Sequence, residues 1–121
     1  MTPPPLVLDH TALVALFEGN TEAYGLWLRA DQAERTLILP AAAVAEANHL
    51  IGADHNAWSA LLYPADVTVA PLDSSQAIDI GPRPGGLVTR HVVYEAHAVA
   101  GIIVTRAPWQ YTPDDGPVRA I

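Results

Sequence analysis

The strongest constraint on this chain is an alternation of four short apolar runs with longer stretches of helical spacing. Leu6-Val7-Leu8 stops at Asp9, Thr36-Leu37-Ile38-Leu39 stops at Pro40, Val67-Thr68-Val69 precedes Pro71, and Ile102-Ile103-Val104-Thr105 runs into Arg106. Runs this short and continuously apolar read as strands buried on both faces, as parallel strands under crossover helices are. Between them, Leu13, Leu16 and Phe17 in Thr11–Glu18 recur at i, i+3, i+4, as do Tyr24, Trp27 and Leu28 in a segment from Thr21 to about Glu34. Further helices are expected from Ala41 to about Ile51, from Asp54 through Leu62, from Leu72 to Ile80 with Asp73 as cap, and from Leu87 to about Ala100. Thr11 can cap the first helix, and Gly101 fits the position after the last.

This pattern predicts an α/β domain, a central short parallel sheet of about four strands with helices on both faces. At 121 residues the chain supplies one core, so a single domain over 1–121 is expected. Pro3-Pro4-Pro5 forms a lead-in, Gly81–Gly86 reads as a hinge or lid edge, and Arg106–Ile121 reads as a polar tail. In open parallel sheets, ligands bind at the carboxyl ends of strands, which is where Asp9 falls.

Charge narrows the chemistry. Six Arg and no Lys stand against 13 Asp and Glu, a formal net charge of −7. Lysine Schiff bases, lysine general bases and P-loop lysines are excluded, and no broad basic face is available for nucleic-acid phosphates. Without Cys there are no disulfides, thiolate nucleophiles or zinc fingers, leaving His, Asp and Glu as metal ligands. The first residues lack the basic region of a secretory signal, and no apolar stretch approaches the roughly 20 residues of a membrane span. A cytoplasmic protein with no membrane association is expected.

Three elements carry a resemblance. Leu8-Asp9-His10-Thr11 ends the first strand, Pro40 through Glu46 opens the third helix, and Val104-Thr105-Arg106-Ala107-Pro108, with Tyr111 beyond it, follows the last strand. In order and spacing over residues 6–111 they resemble the PIN domain, the fold of VapC-type toxin ribonucleases. The resemblance places Asp9, Thr11, Glu46 and Thr105 at family positions. It also exposes two departures. The slot for a third acid falls near Arg90 or His91, and the region where a fourth acid often follows the last strand reads Arg106-Ala107.

The resemblance implies a metal-dependent endoribonuclease of VapC toxin type, or a degenerate relative with an incomplete acidic site. In that mechanism Asp9 and Glu46 ligate Mg²⁺ or Mn²⁺, Thr11 and Thr105 orient water or phosphate, and His91 replaces a lost ligand. Its partners would be RNA, an antitoxin protein and a second copy in a homodimer. The alternative is a catalytically inactive PIN-like module acting by protein–protein interaction. A third option is a small-molecule-binding α/β domain without nuclease ancestry.

Each residue also has an ordinary reading. Asp9 can cap the first helix. Glu46 can pair with Arg90 or Arg106 in an ion pair that fills the vacated metal site. Glu46 with His49 and His91 with Glu95 share helical faces and read as local contacts. His10, His55 and His97 read as surface or capping residues. Trp27 reads as core, while Trp109 or Tyr111 would be the aromatic to stack on a base.

Overall fold

Leu6, Val7 and Leu8 are at most 1% exposed because the strand they form, β1 (Leu6–Leu8), lies at the centre of a sheet. The computed structural model describes residues 2–121; Met1, the first residue of the expected domain, lies outside them. The sheet contains β1, β2 (Leu37–Pro40), β3 (Val67–Ala70), β4 (Ile102–Thr105) and β5 (Val118–Ala120) in the order β3-β2-β1-β4-β5, with every pairing parallel. Helices cover both faces: α1 (His10–Phe17), α2 (Thr21–Asp31), α3 (Ala41–Ile51), α4 (His55–Leu61), α5 (Ser74–Ile80) and α6 (Leu87–Val99). The α/β expectation holds.

The fifth strand corrects the sequence reading. Val118, Arg119 and Ala120 pair with Ile103, Val104 and Thr105, so part of the polar tail closes one edge of the sheet. Only Val118 of the three is half-buried, so the strand carries no apolar run. Its order comes from backbone pairing, to which sequence periodicity is blind.

The caps follow local chemistry. Asp9, Asn20, Asp54 and Asp73 each accept the backbone N–H three residues on, opening α1, α2, α4 and α5. Asp9, rather than Thr11, therefore caps α1. At the end of α6 the left-handed residue is Ala100 (φ 51°), and Gly101 answers a different need. A Cβ at Gly101 would lie 2.9 Å from the Pro5 carbonyl oxygen, so glycine is there to let the helix exit pass against the lead-in before β1.

The core joins the strands to Leu13, Leu26, Ala43, Ala47, Trp58, Val92 and Ala96 from five helices. Small residues on α3 let α1 and α6 pack against it. Among the described residues no helix is long and apolar enough to cross a membrane.

Candidate functional site

The strand order reverses direction at β1, with β2 and β3 to one side and β4 and β5 to the other. The crevice beyond the carboxyl ends of β1 and β4 is therefore the topological switch point, the usual ligand position in such sheets. Asp9 follows β1 and Thr105 ends β4, so the fold brings both to that point.

Both residues are fully buried there. Oδ1 of Asp9 accepts the Thr11 hydroxyl at 2.6 Å and the Ala12 N–H at 3.0 Å. Oδ2 accepts the Tyr111 hydroxyl at 2.8 Å. Because Thr11 has a single hydroxyl proton and spends it on Asp9, the 3.1 Å contact between the two threonine hydroxyls is a donation from Thr105. Thr11 Oγ1 further accepts the Arg106 N–H, and Thr105 Oγ1 the Ala107 N–H, each at 2.9 Å. Three of the four residues singled out at the start thus form one network, joined by Tyr111. Burial, then the charge of Asp9 and its acceptance of the phenol proton, push the Tyr111 hydroxyl far above the usual phenol range.

Glu46 is elsewhere. It lines a groove of about 630 Å³ with His10, Ala42, Ala45, His49 and the Gly86–Thr89 turn at the start of α6. Asp9, which has no exposed surface, is not one of its walls. His10, read as a surface or capping residue, is half-buried, and its Nδ1 is buried without a partner.

His91 sits fully buried on α6 with both ring nitrogens engaged. Nδ1 accepts the Ala42 N–H at 3.3 Å, which leaves the proton on Nε2 to point at Glu95 Oε1, also at 3.3 Å. The local His91–Glu95 contact expected from the i, i+4 spacing is present. Glu46 forms no ion pair with Arg90 or Arg106. The Arg90 Nη1 instead donates to the carbonyls of Ile80 and Gly81 at 3.2 and 3.0 Å, closing the end of α5.

Among the described residues no group of three or more His, Asp or Glu is placed to hold a metal ion. Three internal donors lie on the Asp9 carboxylate, and both ring nitrogens of His91 are engaged. A scan of protein-family models and a search of curated proteins each return no match for this chain.

Sequence reasoning missed Tyr111 as the partner of Asp9. The two are 102 residues apart, and neither spacing nor composition links them. It also missed the apolar groove of about 230 Å³ where Leu16 and Phe17 of α1, Tyr24 and Trp27 of α2, and Ala57, Ala60 and Leu61 of α4 meet. Trp27 was read as core, yet it is half-buried. Its ring lines the groove and its Nε1–H donates to the Leu61 carbonyl at 2.8 Å.

Proposed function

We propose that this chain is a PIN-like module without nuclease chemistry that acts by binding a protein partner. The observation that carries the reading is the full burial of Asp9 among three internal hydrogen-bond donors. A metal-binding carboxylate needs an oxygen open toward the ion, whereas Asp9 has no exposed surface and three internal donors occupy three of its roughly four acceptor positions. Glu46 lines a groove that does not include Asp9, the slot for a third acid falls at Arg90 or His91, both engaged within the protein, and the region for a fourth reads Arg106-Ala107. Mg²⁺ or Mn²⁺, which needs several converging oxygens, is a poor fit to this set. The excess of acidic residues also opposes RNA.

The partner's seat in this reading is the groove between α1, α2 and α4. Its walls are apolar and aromatic, with Tyr24 half exposed and stacked on Trp27 at a centroid separation of 6.0 Å. The occupant it suits is a basic amphipathic helix from another protein, because a net charge of −7 disfavours a second copy and favours a cationic partner.

Thermal melting with MnCl₂, MgCl₂ or EDTA, beside incubation with structured and single-stranded RNA, tests the first half. A site saturated at 100 times its dissociation constant would add about 2.7 kcal/mol, a shift of several degrees. Unchanged melting and intact RNA are expected. A metal-dependent rise that Asp9→Asn abolishes, together with RNA cleavage, would overturn the reading. For the second half, a Leu/Arg-rich helical peptide titrated against tryptophan fluorescence should bind the parent and lose affinity for Tyr24→Ser. Light scattering distinguishes a homodimer. A dimer disrupted by Tyr24→Ser, or no peptide binding at all, removes the basic-helix partner.

A further inference from the structure

We propose that the pocket between the Gly81–Gly86 loop, α6 and the 3-10 turn at Pro113–Asp115 binds a small zwitterion carrying one ammonium and one carboxylate group. The cavity encloses about 410 Å³, within the usual range of small-molecule sites. Arg83 comes to it from the loop and Arg90 and His97 from α6, while Asp114 and Asp115 come from the 3-10 turn. Two of only six cationic side chains in the protein therefore line one cavity together with two carboxylates.

Opposite charges around a cavity this size ordinarily fold onto one another. Here they do not, since the one ion pair within 4.0 Å among the described residues is His91–Glu95. Separate tethers explain the separation. The Arg90 Nη1 is bound to the carbonyls of Ile80 and Gly81, and the Arg83 guanidinium lies 5.6 Å from the centroid of the Tyr94 ring. Oδ2 of Asp115 accepts the Thr112 N–H at 2.8 Å, and the Asp115 carbonyl meets His97 Nε2 at 3.0 Å. Arg90 also buries its Nε without a partner.

Separated charges of both signs suit a ligand that carries both. A carboxylate would meet the guanidinium groups, and an ammonium would meet Asp114 and Asp115. A simple anion would be repelled by the carboxylates and a simple cation by the arginines, so the pocket selects against singly charged analogues. The inference is independent of the proposed partner groove, which lies between other helices.

The test is an NMR titration of the ¹⁵N-labelled full chain with glycine, 4-aminobutyrate and 6-aminohexanoate, which span the charge spacing, and with butyrate and butylamine as controls. At least one zwitterion should saturate shifts of the Thr89, Arg90, Thr112 and Asp115 amides. Each control should bind about tenfold more weakly, or worse, a difference of about 1.4 kcal/mol. Arg83→Gln and Asp114→Asn alter exposed side chains, and each should weaken the zwitterion about tenfold with its spectrum otherwise native. The proposal is overturned if no zwitterion shifts these amides at millimolar concentration, if a control matches the best zwitterion, or if folded variants bind like the parent.

Discussion

The Tyr111 hydroxyl donates to Oδ2 of Asp9 at 2.8 Å, tying the chain after the last central strand to the end of the first. The bond is charge-assisted and partly shielded from water, so it is worth roughly 1.5–3 kcal/mol. Tyr111→Phe should lower the unfolding free energy by about that amount in urea titrations with no change in the secondary-structure spectrum.

The same phenol predicts alkaline behaviour. Its folded pKa is raised by burial and by Asp9, so it stays protonated in the folded chain while the unfolded chain ionises near the ordinary value of about 10. The unfolded state then binds fewer protons, and the slope of stability against pH is negative. Stability from this group should be fully present below about pH 10 and decline as pH rises above it. Urea midpoints measured between neutral and strongly alkaline pH should show the decline in the parent and a flatter profile in Tyr111→Phe.

Asp9→Ala removes the cap of α1 and leaves the Ala12 N–H and the Tyr111 hydroxyl without their acceptor. A loss of roughly 3 kcal/mol or more is expected, while Asp9→Asn, which keeps an oxygen for the cap, should cost less. A metal-binding Asp9 would add a second pattern: the parent would unfold at higher urea in Mn²⁺ than in EDTA, and both variants would lose that difference.

Gly101→Ala places a Cβ 2.9 Å from the Pro5 carbonyl oxygen and 3.1 Å from Cγ2 of Val99. Since backbone must shift to admit it, a destabilisation of about 1–3 kcal/mol should appear in thermal or urea unfolding. An unchanged midpoint would mean that the lead-in yields easily.

His91→Ala leaves the Ala42 N–H without its acceptor and the Glu95 carboxylate with only the Gln76 Nε2 at 3.5 Å, at the packed contact between α3 and α6. A loss of roughly 2–4 kcal/mol is expected, read as a lower urea midpoint. Were His91 a metal ligand instead, its removal would matter chiefly in the presence of added Mn²⁺.

Much of this fold was legible in the residues. Apolar runs such as Leu6-Val7-Leu8 and Ile102-Ile103-Val104-Thr105 mark strands because burial on both faces requires continuous apolar character, and Asp54 and Asp73 mark helix starts because a short carboxylate reaches an N–H three residues on. These are local interactions, written within a few positions of chain. What required the tertiary structure was long-range or backbone-borne. Val118–Ala120 becomes a strand only because the edge of β4 is open to it, and Gly101 is needed because Pro5 passes beside it. The sequence placed Asp9, Thr11 and Thr105 together by resemblance, but not what the oxygens of Asp9 do. Only the folded chain brings Tyr111 to one of them and directs Glu46 into another groove, because a side chain's chemistry is decided by the neighbours it meets in space.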